Sequence, residues 1–172
     1  MNEEQKKYIK AYEENADALF RFCLLSIRDR EVAKDLVQEA FVKTWNYMVN
    51  KGPIENLKAF LYKTLRNLII DYYRLKKSES LDVLLEEEGF DPRLETPVSE
   101  EEKVDSVIAF KMLRYIPKEY QEVITMRLVE EMSFKEIGSI TGEPENTVAV
   151  RFHRGIKKVR AIFFKQNDEQ QI

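Results

Sequence analysis

The sequence predicts an all-α protein in which two small helical domains are joined by a flexible acidic linker. Apolar residues recur with a helical period of 3.6 over long stretches, and no stretch alternates as a strand would. Glycine and proline number only five each, so few positions interrupt a helix. Residues 79–105 contain 11 acidic and 2 basic residues, a balance that favours an extended connector. We expect the domains to span 1–78 and 104–166, with the linker at 79–103.

The composition also limits the class of function. No N-terminal segment resembles a signal peptide, and no apolar run is long enough to span a membrane, so we expect a cytoplasmic protein without membrane insertion. Cys23 and His153 are the only cysteine and histidine, which excludes a Cys/His zinc site within the chain. We find no nucleophile–base pair and no phosphate-binding glycine loop. The sequence therefore predicts no catalytic residues, no metal, no cofactor and no enzymatic activity of its own.

The first helix is expected from Glu4 to Arg28, and Asp29 is a candidate N-cap for a second helix from Glu31 to about Met48. The periodicity assigns five residues of the second helix to its inward face: Leu36, Val37, Ala40, Thr44 and Tyr47. A separate arc of this helix contains Asp35, Gln38, Glu39, Val42 and Trp45. Because one apolar stripe is enough to fold a helix, a second arc with a central Trp indicates a protein interface. Periodicity leaves open the alternative that Trp45 packs under the first helix.

A turn at Asn50–Pro53 precedes a third helix, expected from Asn56 to Lys77. Its predicted core arc contains Leu57, Leu61, Leu65, Leu68, Tyr72 and Leu75. Its outer arc contains Lys63, Arg66, Asn67, Ile70, Tyr73, Arg74 and Lys77. Cations interleaved with exposed aromatic and apolar groups suit unpaired nucleotides, because phosphates need positive charge and bases need a stacking surface. The alternative is an ordinary solvated basic face.

Two helices, Val104–Tyr115 and Glu119–Glu130, are expected to meet at Pro117 and to support the final segment. Ser133 and Glu136 form a capping box that begins a short helix, which Gly142 and Pro144 end. A last helix begins near Glu145 and continues to Phe164, followed by a polar tail that we expect to fray. Two helices joined by a tight turn with glycine form a helix-turn-helix, here winged-helix-like but without a wing.

The last helix has two unlike faces. Its predicted inward arc contains Val148, Phe152, Ile156, Val159 and Phe163. Its outward arc contains Asn146, Thr147, Val150, Arg151, Arg154, Lys157 and Lys158. Such a helix fits the DNA major groove, where Arg contacts guanine, Asn contacts adenine and an apolar group contacts the thymine methyl. The alternative is an amphipathic helix with a solvated charged face, but the capped helix and tight turn before it favour DNA.

In this order, the segments resemble the bacterial RNA polymerase sigma factors of the two-domain, extracytoplasmic-function (ECF) type. The segment RDREVAKDLVQEAFVKTW is similar to the polymerase-binding helix of that family, and FLYKTLRNLIIDYYRLKK to its minus-ten helix. The segment IPKEYQEVITMRLVEEMSFKEIGSITGEPENTVAVRFHRGIKKVR resembles its minus-thirty-five domain. The resemblance implies a promoter-specificity subunit that binds core RNA polymerase and promotes transcription initiation.

The resemblance also implies partners and residue roles. The implied partners are the clamp helices of the largest polymerase subunit, the beta flap, promoter DNA as duplex and single strand, and an anti-sigma factor. The positions matching the clamp-binding residues are Asp35, Gln38, Glu39 and Trp45. Those matching the minus-ten segment are Asn67, Asp71 and Arg74, with the Met48–Asn56 turn as the loop that captures a flipped base. Those matching the minus-thirty-five recognition helix are Thr147, Arg151 and Arg154.

Three residues depart from the pattern of that family. Phe60 stands where Trp is frequent, Gly138 stands where Ala is usual, and Glu143 replaces a frequent apolar turn residue. We therefore expect the turn at Glu143 to be less buried than usual. Two rival functions each leave part of this pattern unexplained. A helix-turn-helix regulator that does not bind polymerase leaves the Trp45 arc unexplained, and a protein-binding adaptor leaves the recognition helix unexplained.

Overall fold

The computed structural model describes residues 3–79 and 112–169, and the regular elements in these residues are helical. The N-terminal half contains α1 (Glu3–Ile27), α2 (Arg30–Lys51) and α3 (Leu57–Glu79). The C-terminal half contains α4 (Lys118–Ile124), one turn of π-helix (Thr125–Val129), α5 (Phe134–Thr141) and α6 (Glu145–Glu169). The all-α prediction is confirmed. The polar tail expected to fray is helical as far as Glu169.

Part of the predicted organisation lies outside the described residues. The acidic linker at 79–103 does so except for Glu79, and the predicted helix at 104–115 does so except for its last four residues. The domain boundaries therefore stay predictions. Among the helices in residues 3–79 and 112–169, none combines the length and the apolar character needed to cross a bilayer.

Local capping signals determine where several helices begin and end. The Asp29 carboxylate accepts from the backbone N–H groups of Glu31 and Val32, which confirms it as the N-cap of α2. Ser133 and Glu136 form the expected capping box at the start of α5. Gly142 ends α5 in the left-handed conformation, with φ of 76°. This conformation carries little steric cost for glycine, because glycine has no Cβ. These signals depend on a few neighbouring residues, and the sequence predicted them.

The inward faces predicted for the helices are correct for most central residues and wrong for some residues near the helix ends. In α2 the buried residues are Ala33, Val37, Ala40, Phe41, Thr44 and Met48. Tyr47 is instead 44% exposed and stacks on Phe60, with ring centroids 4.8 Å apart. Leu75 and Phe163, both predicted to face inward, are 65% and 43% exposed. Periodicity marks the direction of an apolar stripe, but it does not show where the neighbouring helices end.

The C-terminal half packs against α3. One hydrophobic cluster continues from Leu61 and Leu65 of α3 to Val123, Met126 and Ile137 of the C-terminal half. The outer arc of α3, predicted to be exposed, is therefore partly covered, since Arg66, Ile70 and Tyr73 are only partly accessible. The prediction was wrong for these three residues because α3 is buried on more than one side.

Candidate polymerase and nucleic-acid interfaces

The second arc of α2 forms an open surface, which we call the α2 surface. Asp35, Gln38, Glu39 and Val42 are exposed on it, while Trp45 is partly buried. The Trp45 ring lies against Tyr8 of α1, with centroids 5.0 Å apart. Trp45 thus packs on α1 through one face and leaves the rest of its ring accessible. The packing interpretation of Trp45 is therefore met in part, and the interface interpretation stays a prediction.

Residues of α1 extend the α2 surface. Gln5, Tyr8 and Ile9 line a shallow concavity together with Trp45. Ile9 is 43% exposed, and Tyr12, one helical turn further, is 52% exposed with its ring against Phe41. The sequence did not single out these α1 residues, because periodicity cannot show which apolar residues of one helix lie beside the arc of another.

The predicted outer arc of α3 divides into two groups. Lys63, Asn67, Asp71, Arg74 and Lys77 are exposed. Arg74 Nη1 lies 3.6 Å from Asp71 Oδ1, but this ion pair is exposed to solvent and contributes little to stability. Arg66 and Tyr73 instead contact other helices: Arg66 Nε lies 2.5 Å from Glu122 Oε1, and the Tyr73 hydroxyl donates to the carbonyl of Ser26. We call the exposed group the open α3 surface.

Residues of the C-terminal half contact α3 at Tyr73, Lys58 and Arg66. Lys118 Nζ lies 3.5 Å from the centroid of the Tyr73 ring. Lys58 Nζ donates to the Glu130 carbonyl oxygen at 2.8 Å. Burial raises the pKa of the Glu122 carboxyl, and the Arg66 guanidinium acts against that rise. In this arrangement Arg66 and Tyr73 are engaged within the chain and are not open to a DNA strand.

The helix-turn-helix presents the third surface. Val148 is fully buried, so the first turns of α6 are held against the core. Asn146, Thr147, Val150, Arg154, Lys157 and Lys158 are exposed as predicted, and we call them the α6 surface. Five residues of the outward arc, Asn146, Thr147, Val150, Arg151 and Arg154, line a concavity with Glu119 and Tyr120 of α4. Arg151 is the member of the predicted arc that is partly buried, because it pairs with Glu143.

Gly138 of α5 contacts Glu143 of the turn before α6, and both residues depart from the family pattern. A Cβ added at Gly138 would lie 2.6 Å from the carbonyl oxygen of Glu143, a separation that backbone atoms do not tolerate. The Glu143 side chain is not solvated as freely as expected, because it reaches back to Arg151 and stays 28% exposed. Gly138 is therefore needed for the close approach of the turn to α5.

Replacing Gly138 with alanine should destabilise the protein by about 1 kcal/mol or more, because overpacking outweighs the gain in helix propensity. Urea unfolding followed by circular dichroism measures this change. Ser139→Ala, on the exposed side of the same helix, serves as the control and should change stability little. Propensity alone predicts the opposite sign, so a variant more stable than the parent would show that the contact is not tight.

Within residues 3–79 and 112–169, no group of three or more His, Cys, Asp or Glu side chains is placed to hold a metal ion. The described cysteine, Cys23, is buried, and burial raises the pKa of its thiol to about 12, so it stays protonated.

Comparison with protein families gives two matches. A model described as sigma-70 region 2 matches residues 11–79, which include most of α1 and all of α2 and α3. A model described as sigma-70, region 4 matches residues 108–159, which include α4, α5 and most of α6. The matched segments contain all the α2, α3 and α6 residues of the three surfaces.

Individual relatives match most of the chain. The RNA polymerase sigma factor SigV of Bacillus subtilis is 27% identical over 154 residues, covering 86% of both chains. The ECF RNA polymerase sigma factor SigW of the same organism is 28% identical over 153 residues, covering 84% of this chain and 82% of SigW. The fold is similar to that of RpoE in complex with the anti-sigma factor NepR from Bartonella quintana. That pair has a TM-score of 0.73 at 22% identity, covering 92% of this chain and 97% of RpoE.

Proposed function

The chain belongs to the sigma-70 family of RNA polymerase sigma factors, in its ECF group, and from that premise we propose how its three surfaces divide the work. The α2 surface binds the clamp helices of the largest polymerase subunit. The open α3 surface binds the separated minus-ten strand, and the α6 surface binds the minus-thirty-five duplex. Sigma factors are non-enzymatic regulators of transcription initiation, and this function requires a cytoplasmic chain.

The geometry of α6 carries the proposal for DNA. A capped short helix and a left-handed glycine turn precede α6, whose Val148 is buried against the core while Arg154 is exposed. An exposed helix face with Asn, Thr, Val and Arg can offer donors, acceptors and a methyl contact to base edges in the major groove. Lys157 and Lys158 lie further along the same face and suit phosphates.

Replacing Arg154 with alanine should weaken binding of the preferred promoter duplex by about 1–3 kcal/mol, because one two-pronged base contact is lost. Replacing Lys157 should weaken binding of all duplexes alike and reduce their salt dependence, because a phosphate contact releases counterions. Binding of holoenzyme to promoter and scrambled duplexes over a range of salt concentrations measures both effects. Unchanged promoter binding by the Arg154→Ala/Lys157→Ala double variant would rule out α6 as the reading helix.

The contacts of Arg66 and Tyr73 with the C-terminal half affect how α3 can bind the minus-ten strand. Both residues belong to the predicted strand-binding arc, and both are engaged by the C-terminal half through Glu122 and Lys118. We therefore expect the two halves to separate before the whole arc of α3 meets a strand. An anti-sigma protein is a further candidate partner, since NepR binds the structurally similar RpoE.

The principal alternative is a helix-turn-helix regulator that binds DNA without binding polymerase. It explains α5 and α6, but it gives no role to the exposed Val42 and Ile9 beside Trp45. Apolar residues that are exposed and adjacent indicate a surface that a partner covers. Binding to core polymerase separates the two functions.

A further inference from the structure

A two-pronged ion pair joins the turn before α6 to the outward face of that helix. Nη1 and Nη2 of Arg151 donate to the two carboxylate oxygens of Glu143, and the Nη2–Oε1 distance is 2.6 Å. The two side chains are 20% and 28% exposed, so water screens the pair only in part. The hydrogen bonds that Arg151 donates to Glu143 raise the pKa of the Arg151 guanidinium, with further contributions from the charges of Glu119 and Glu122. Arg151 is thus surrounded by negative charge.

The backbone of Glu143, from which the carboxylate extends, is held in position. The backbone N–H of Glu143 donates to the Gly138 carbonyl oxygen at 3.1 Å. The Glu143 carbonyl approaches Gly138 so closely that only a residue without a Cβ fits there. Pro144 follows and restricts the next backbone torsion. The carboxylate therefore extends from a rigid turn, and the direction of the Arg151 guanidinium is set before any DNA arrives.

This pairing changes what Arg151 can offer a duplex. A guanidinium has five N–H donors, and Glu143 accepts one from each terminal nitrogen. The Glu143 contact does not use the edge formed by Nε–H and the outer N–H of the adjacent terminal nitrogen, and Arg can contact guanine O6 and N7 through two donors. The positive charge, however, is already offset, so a phosphate contact from Arg151 releases little counterion. Arg154, Lys157 and Lys158 are exposed, and Lys158 Nζ lies 5.4 Å from the centroid of the Tyr120 ring.

We propose that Glu143 is a specificity-determining, positioning residue of the recognition helix. It turns Arg151 into a fixed, nearly neutral hydrogen-bond donor, which adds discrimination between sequences and little of the affinity common to all DNA. The inference rests on the proposed function of α6 and refines it. Phosphate binding is left to the exposed cations of the α6 surface, and Arg151 is reserved for one base edge.

The test uses the full chain together with core RNA polymerase. Wild-type holoenzyme first selects duplexes from a randomised library. Binding of a selected duplex and of a scrambled duplex is then measured over a range of salt concentrations. For Glu143→Gln we expect tighter binding to the scrambled duplex, with a salt slope steeper by about 0.9, because one more cation contacts phosphate. The ratio of selected to scrambled affinity should fall roughly five-fold or more, as for the loss of one two-pronged base contact.

A second variant tests the proposal independently. Glu143→Gln/Arg151→Ala removes the whole pair without changing the net charge, so we expect the wild-type salt slope together with a reduced affinity ratio. Lys157→Ala is the comparison, because loss of a phosphate contact should make the slope shallower by about 0.9. A double variant that behaves like Lys157→Ala would identify Arg151 as an ordinary phosphate contact and overturn the proposal.

Two controls separate position from charge. Glu145→Gln removes an exposed carboxylate from the first turn of α6, and Glu143→Asp keeps the charge at the turn while shortening the side chain. The proposal predicts that both keep a salt slope closer to that of the wild type than Glu143→Gln does. It is overturned if Glu145→Gln matches Glu143→Gln, or if Glu143→Gln weakens all duplexes equally. Failure of wild-type holoenzyme to select any sequence would instead reject the proposed function of α6, and this inference with it.

Discussion

Replacing Trp45 with alanine should weaken binding of core RNA polymerase by about 2 kcal/mol or more, which is roughly a thirty-fold rise in Kd. Trp45 lines a concavity together with Gln5, Tyr8 and Ile9, and Val42 on the same arc of α2 is exposed. A large ring beside apolar neighbours and a rim of carboxylates has the character of a binding hot spot. Titration of labelled core polymerase with the purified chain measures the change.

The contact with Tyr8 makes a stability control necessary for this variant. Trp45→Ala also removes packing on α1, so its melting temperature is measured beside its affinity. Tyr47→Ala is the matched control, because Tyr47 is an exposed aromatic residue on the opposite side of α2. We expect Tyr47→Ala to bind polymerase normally. A Trp45 variant that melts early yet binds polymerase with wild-type affinity once folded would show that Trp45 serves packing alone.

Replacing Asn67 and Arg74 together with alanine should reduce open-complex formation about ten-fold or more. Asn67 offers a donor and an acceptor to a base edge, and Arg74 offers charge to a phosphate. Unstacking a base costs a few kcal/mol, so the open state depends on contacts that offset this cost. Both residues belong to the open α3 surface, away from the contacts that hold Arg66 and Tyr73. Permanganate reactivity of promoter thymines measures the melted fraction.

The structure favours this pair over variants of Tyr73. The Tyr73 hydroxyl donates to Ser26 and its ring contacts Lys118, so its removal disturbs the fold as well as the surface. Lys76→Ala serves as the control, because Lys76 is exposed about half a turn around α3 from Asn67. A promoter with a pre-melted bubble should restore part of the loss. Normal melting by the double variant would exclude α3 as the strand-binding element.

The sequence predicted the helix caps and helix ends that depend on a few neighbouring residues. The Asp29 cap, the Ser133–Glu136 capping box and the helix end at Gly142 each follow from a few adjacent positions, and each is present. The outward arc of α6 was also largely right, because Val148 and its helical neighbours determine which side faces the core. The residue roles on the three surfaces stay predictions.

Other features depend on contacts between distant parts of the chain. Arg66 and Glu122 are 56 positions apart, so periodicity within α3 could not indicate that Arg66 is engaged. The same limit applies to Tyr73, which the outer-arc prediction left exposed. Glu143 and Arg151 are only eight positions apart, but their pairing requires the turn conformation that Gly138 permits. The sequence contained the residues of this pair and no signal that they meet.

Gel filtration of the chain mixed with core RNA polymerase tests the central claim most directly. A sigma factor should elute with core polymerase as a stoichiometric complex, and Trp45→Ala should reduce the co-eluting fraction while Tyr47→Ala leaves it unchanged. If the folded chain binds promoter duplex but elutes entirely separately from core polymerase, the chain acts as a DNA-binding regulator without a polymerase surface, and the assignment is contradicted.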